Sequence, residues 1–274
     1  MTAAPDALRR AWLGLVAVTG REVVKFAHQT GRLVSAVVRP ALWLLVFAAG
    51  FQNVFGVSII APYETYIRYE VYVVPGLLGM VLLFNGMQSS LSMVHDREMG
   101  VMRLLLTAPL PRWYLLLCKL VAGTLLSVLQ AYAFLALCAA FRVDLPWAGW
   151  LSVLPALVLA GMMLGAVGLL LSVHIRQLEN FAGTMNFVIF PMFFVSSALY
   201  PLWKIQESGA EVVYQLARLN PFTHAVELIR FALYGQVHGP AALVVGGCLV
   251  GFFVLAVVGY DPQRGLVGRA PRRA

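Results

Sequence analysis

The sequence predicts an all-α integral membrane protein with six transmembrane helices. Three observations carry this. Six long apolar runs lie at roughly residues 33–55, 71–93, 113–140, 150–173, 181–200 and 240–259. Hydrophobic residues make up 61% of the chain and charged residues 12%, far from the balance of a soluble domain. Basic residues gather in alternate gaps: only Arg68, Arg142, Lys204, Arg218 and Arg230, of 20 Lys and Arg, fall on the poorer side. A run of about 20 residues, at about 1.5 Å per residue, covers a hydrocarbon core of roughly 30 Å. In lipid each such helix satisfies its own backbone polar groups. The gaps are too small for a folded soluble domain, so residues 1–274 are expected to form a single transmembrane domain.

Residues 8–30 precede the first span and have an amphipathic pattern. Leu8, Trp12, Leu15, Val23 and Phe26 recur on one face, with Arg10, Arg21, Lys25 and His28 opposite, which predicts a helix lying at the membrane surface. The first span, 33–55, carries Pro40. It is long enough to cross and lacks a small-residue cleavage site, so it is expected to stay as a span and not be removed as a signal peptide. The following segment holds Tyr63, Tyr66, Tyr69 and Tyr72, residues suited to a membrane interface. The second span carries Pro75, Gly76 and Gly79, and the fourth Gly161, Gly165 and Gly168, which allow close helix contact. A short turn around Arg142, Asp144 and Pro146 joins the third and fourth spans. Residues 174–180 join the fourth to the fifth.

Residues 201–239 do not read as a simple loop. Glu207–Leu219 and Phe222–Tyr234 both have helical apolar spacing, interrupted at Asn220-Pro221, where proline ends a helix. Each is too short to span, so an extracytoplasmic, re-entrant helical hairpin before the last span is expected. The sixth span is followed by a basic tail. The excess of Lys and Arg places both termini in the cytoplasm, and topology with anionic lipid accounts for the net charge of +8 without a nucleic-acid partner.

Enzyme signatures are scarce. No phosphate-cradling glycine loop ends in Gly-Lys-Ser or Gly-Lys-Thr, so the chain is not expected to hydrolyse ATP. The five histidines divide between the two sides, and Cys118, Cys138 and Cys248 lie inside spans without metal-ligand spacing; no metal or other cofactor is expected. His95-Asp96 reads as a charged pair at the start of a loop. Arg39, Glu70 and Lys119 read as lying near span ends, within reach of the interface. No acidic residue stands at mid-span to carry a proton or a cation, which weighs against an ion-gradient-driven secondary transporter, the alternative kept open.

The sharpest signal is the loop 95–112: His95-Asp96-Arg97-Glu98-Met99-Gly100, then Val101-Met102-Arg103 and the three leucines Leu104-Leu105-Leu106, then Thr107-Ala108-Pro109 and Arg112. A short helix at the tip of two spans acts as a lever that a partner can push. This segment resembles the coupling element of type-2 ABC transporter permeases, in which Glu-x-Gly leads to a leucine-rich helix and a Thr-x-Pro stop. Val101-Met102-Arg103 departs from that pattern, which has a small residue, a leucine and an acidic residue there. Lys119 stands where the family often has a lysine. Asn220-Pro221-Phe222, with Arg230 downstream, resembles the family's Asn-Pro element and its arginine before the last span.

The resemblance implies a permease subunit of an ATP-driven exporter. It forms a pathway as a dimer and couples to separate ATP-binding subunits that hold ATP and Mg²⁺, in the bacterial inner membrane. It gives coupling to Glu98, Gly100, Arg103, Leu105, Thr107 and Pro109, and an extracytoplasmic gate to Asn220, Pro221 and Arg230. The first and fifth spans are expected to line the pathway. Trp43, Phe47 and Phe51 on one, with Phe187, Phe190 and Phe194 on the other, are candidate contacts for a drug, a lipid-linked glycan or another amphipathic compound.

Overall fold

The computed structural model describes residues 3–28, 30–51, 61–63, 65–100, 111–175 and 177–260. Their regular elements are all α-helices: α1 Ala3–Ala27, α2 Thr30–Phe51, α3 Tyr69–Glu98, α4 Arg112–Ala140, α5 Gly149–His174, α6 Leu178–Phe194, α7 Leu202–Glu207, α8 Glu211–Leu219, α9 Pro221–Leu233 and α10 Gly239–Gly259. Among the described residues, α3, α4, α5 and α10 are long and apolar enough to cross a membrane. The expected first and fifth spans appear as α2, of 22 residues, and α6, of 17. Residues 52–55 and the basic tail lie outside the described residues.

α3 is the axis of the fold. Along its most apolar stretch 94% is buried inside the protein, against 17% for α10. That burial explains why α3 is apolar all round while α10 can turn most of its surface to lipid. α3 meets α5 through small residues: a Cβ on Gly86 would come 3.0 Å from the Gly165 Cα. Near its start, a Cβ on Gly76 would come 2.6 Å from the Ala198 carbonyl oxygen. Only glycine permits either approach. α3 meets α4 through buried polar side chains, where Asn85 donates to Ser127 Oγ at 2.7 Å and Gln130 donates to Asn85 at 3.3 Å. Such bonds hold helices together where lipid offers no hydrophobic drive.

α3 also defines two ends. Its first turn holds Tyr69 and Tyr72, whose hydroxyls donate to the Leu199 carbonyl at 2.6 Å and the Ser197 carbonyl at 2.9 Å; this is the tyrosine end. Its last turn meets Arg21, Lys25 and Lys119; this is the basic end.

Several boundaries differ from the sequence reading. Helix α6 ends at Phe194, and 195–200 form a turn built on Ser196, whose hydroxyl donates to the Phe193 carbonyl and accepts from the Ala198 amide. The segment 201–239 holds three short helices where two were expected. Gly209, at φ +75°, breaks the first, a left-handed conformation that costs any residue with a Cβ. Arg21 and Lys25 face the bundle, while Trp12, Leu13, Val16 and Val24 are exposed.

Candidate functional site

Three constellations lie along α3, at its basic end, its middle and its tyrosine end.

At the basic end Asp96 is buried, its side chain 3% exposed, and three cations converge on it. Both Arg21 Nη2 contacts to the carboxylate are 2.9 Å, Lys25 Nζ lies at 3.0 Å and Lys119 Nζ at 2.9 Å. A buried carboxylate is tolerated when charged donors satisfy its lone pairs. One acidic side chain thereby ties α1, α3 and α4 together. The sequence gives Asp96 no such role, because its partners lie 71 and 75 residues away in α1 and 23 away in α4. Two bases one turn apart in α1 and a lysine entering α4, all at one depth, were the available signal. Lys119 is thus an internal ion-pair partner, only 10% exposed, and not a side chain reaching for the interface.

Two residues on, Glu98 Oε1 accepts from the Leu178 amide at 2.9 Å. That amide is one of the unpaired donors at the start of α6, where a carboxylate is favoured by the helix dipole. Met99 and Gly100 then close the turn, their amides donating to the His95 and Arg97 carbonyls. Gly100 sits at φ +73°, the left-handed stop of a helix C-terminus. Arg103, Leu105, Thr107 and Pro109 lie outside the described residues.

At the middle, the Arg39 guanidinium lies 4.2 Å from the centroid of the Phe84 ring. Phe84 is fourteen residues from Glu98, about 21 Å at 1.5 Å per residue, and fifteen from Tyr69. Arg39 therefore stands level with the centre of α3 and not near a span end. The sequence cannot show this, because the axial offset of α2 against α3 is set by packing. A charge at that depth costs at least roughly 2.5–3.5 kcal/mol, and a desolvated cation–π contact returns about 2 kcal/mol or more. The neighbouring polar groups Ser35, Asn85, Gln88 and Gln130 line the same small cleft.

The aromatic residues divide cleanly. Phe187, Phe190 and Phe194 are exposed on one face of α6, 79%, 42% and 37%, and Phe193 is buried. Trp43 of α2 lies 6.1 Å from Phe194 and 6.3 Å from Phe193, and Phe84 lies 6.5 Å from Phe190. The aromatic face thus runs up to Arg39. Phe47 and Phe51 belong to α2, but their side chains lie outside the description.

At the tyrosine end, Asn220 is a joint. Its Nδ2 donates to the Met192 carbonyl at 2.7 Å and the Val195 carbonyl at 2.6 Å, and its Oδ1 accepts from the Phe222 amide at 3.0 Å. One side chain closes the end of α6 and caps the start of α9, where Pro221 takes the first position. Arg230 is buried, pairs with Glu227, donates to the Ser197 carbonyl at 2.8 Å and lies 4.3 Å from the Tyr72 ring centroid. The structure thus brings Asn220, Pro221 and Arg230 onto the turn that follows α6. Among the described residues no three His, Cys, Asp or Glu side chains form a metal-binding group.

Comparison with known proteins agrees with this layout. The profile of the family described as ABC-2 type transporter matches residues 14–234. The transport permease ycf38 of Cyanophora paradoxa is 28% identical over 225 residues, covering 79% of this chain and 73% of its own. A daunorubicin resistance ABC transporter permease of Streptomyces coeruleorubidus is 24% identical over 222 residues, 78% of this chain and 73% of its own. A permease of Escherichia coli named for multidrug ABC transport is 28% identical over 171 residues, 61% of this chain and 45% of its own. With the profile spanning most of the chain and its long apolar helices, the protein belongs to the ABC-2 type transporter family and is a multi-pass membrane permease of an ABC transporter.

Proposed function

We propose that this chain is the membrane half of an ATP-driven exporter. Two copies enclose the pathway, and separate ATP-binding subunits, which hold ATP and Mg²⁺, dock at the basic end. That end, with both termini, faces the cytoplasm of a bacterial inner membrane. Helices α2 and α6 complete six spans, α1 rests on the cytoplasmic surface with its apolar face toward lipid, and α7 to α9 form the extracytoplasmic cap. The chain supplies no nucleotide site and no covalent chemistry.

The observation that carries this reading is the Glu98 bond to the start of α6. A residue of the coupling segment 95–112 thus also holds a helix with an exposed aromatic face. A push from below on Glu98, Gly100 and the segment through Arg103, Leu105, Thr107 and Pro109 acts on α3 and α6 at once. Asp96 transfers it to α1 and α4. At the far end Asn220, Pro221 and Arg230 pass the movement of α6 into the cap, as a gate. The cargo is an amphipathic compound, a drug or a lipid-linked glycan, gripped by Trp43, Phe47, Phe51, Phe187, Phe190 and Phe194. Relatives named for multidrug transport and daunorubicin resistance support a cargo of this kind.

Replacing Glu98 and Arg103 together by alanine tests the coupling. The variant is expected to express and assemble with its ATP-binding subunit, while its ATP turnover no longer drives transport. Transport per ATP equal to the unaltered complex would contradict the assignment.

A further inference from the structure

Arg39 poses a question that the coupling scheme leaves unanswered: what neutralises a cation at mid-span? Its guanidinium lies over Phe84 at the centre of α3, and among the described residues it has no ion pair and no hydrogen bond. Among the described residues the chain holds no suitable anion. Its 12 acidic residues are Asp6 and Glu22 in α1, Asp96 and Glu98 at the basic end, Glu70 in the first turn of α3, Glu179 in the first turn of α6, Asp144 in a turn, Glu207, Glu211 and Glu227 in α7 to α9, and Glu64 and Asp261 outside the described residues. None lies within the central turns of α2 to α6 or of α10. A second copy set parallel to the first across the membrane brings none of the described carboxylates to that depth either.

The surroundings of Arg39 favour a ligand over a structural role. Asn85, Gln88, Gln130 and Ser35 line the narrow cleft beside it, where Asn85 and Gln130 are already bonded to each other and to Ser127 and Gly123, so the charge on offer is that of Arg39. Phe84 continues into the exposed face of Phe190 and Phe194, which offers an apolar track leading away from the charge. A cation at one end of an aromatic strip, in a low-dielectric setting, selects a molecule with the same division. We propose that Arg39 contacts the anionic group of an amphipathic cargo (a phosphate, sulfonate or carboxylate), with the cargo's apolar body along the exposed aromatic face of α6. That the bound molecule is cargo rests on the transport reading above; that the site prefers an apolar-tailed anion does not.

The test is binding, read without nucleotide or partner. The full-length protein in phosphatidylcholine nanodiscs is titrated with ³²P-labelled dodecyl phosphate, and empty discs are subtracted. Saturable binding is expected, competed neither by dodecyltrimethylammonium nor by inorganic phosphate. Arg39→Gln should weaken it by about tenfold or more, the loss of one charge-assisted contact, whereas Arg39→Lys should keep the preference for the anion. Arg39→Lys guards against a folding artefact, with size-exclusion profile and thermal unfolding compared for each variant. Competition by phosphatidylglycerol in the discs marks a bilayer lipid as the natural source, and its absence marks a dissolved amphiphile; both keep the site. Unchanged affinity in Arg39→Gln, equal competition by the cationic analogue, or full competition by inorganic phosphate would overturn the proposal. An anion-selective site in a protein that never couples to ATP would sink the transport reading alone. Coupled transport with charge-indifferent binding would sink this inference alone.

Discussion

At the scale of residues, Asp96 shows how a single carboxylate organises a membrane protein's charged end. Lys119 is nearly enclosed, so removing its counter-ion leaves a buried cation without compensation, a change that costs about 3–5 kcal/mol where the pair is buried. Arg21 and Lys25 are about one third exposed and lose less. Asp96→Asn is therefore expected to lower the thermal midpoint in detergent clearly, and Asp96→Asn with Lys119→Met to recover part of the loss. A double variant as unstable as the sum of the two single changes would show that the pair is not coupled. Asn220 makes a similar case. Its side chain closes two carbonyls and one amide at a helix junction, so Asn220→Ala should destabilise by about 1–3 kcal/mol, and Asn220→Asp, which cannot donate, should not rescue it. A thermal midpoint for Asn220→Asp equal to the unaltered protein would contradict that role. Both residues carry their partners far along the chain. The only sequence signal for Asp96 was the set of bases at one depth in α1 and α4, whereas Asn220, beside proline, already marked a helix boundary.

At the scale of elements, the long helices were legible because lipid imposes a length. Four of the six apolar runs became helices long and apolar enough to cross a membrane, since the cost of unpaired backbone in hydrocarbon leaves little choice, whereas the helix of the fifth run ends at Phe194. The glycine stripe of α5 was legible for a related reason, and Gly165 does meet Gly86. Gly86→Leu is expected to separate α3 from α5 and to abolish a monodisperse peak on size exclusion, while Gly183→Leu, where a Cβ meets open space, should leave the profile unchanged. What stayed hidden is relative placement. The axial offset that lifts Arg39 to the level of Phe84, and the turn of α1 that directs Arg21 and Lys25 inward, depend on contacts between helices and leave no periodic trace. The break at Gly209 was hidden for another reason: the apolar spacing of 207–219 continues across it, and only the backbone conformation shows the stop.

At the scale of the whole molecule, the elements form a transmission. The basic end holds a rigid knot of α1, α3 and α4 around Asp96, with the start of α6 fastened by Glu98. The tyrosine end holds α6 again, through Asn220, to the short helices of the cap. The aromatic face of α6 lies between these two fastenings. A subunit so built is suited to respond to force applied at one end, the behaviour proposed above.

The most direct test of this claim is solute accumulation in proteoliposomes made with this chain alone, or with its ATP-binding subunit, under ATP or under a proton or sodium gradient. Solute should move only when both subunits and ATP are present, and a cation gradient should add nothing. Accumulation driven by a cation gradient in vesicles that hold this chain alone would contradict the account.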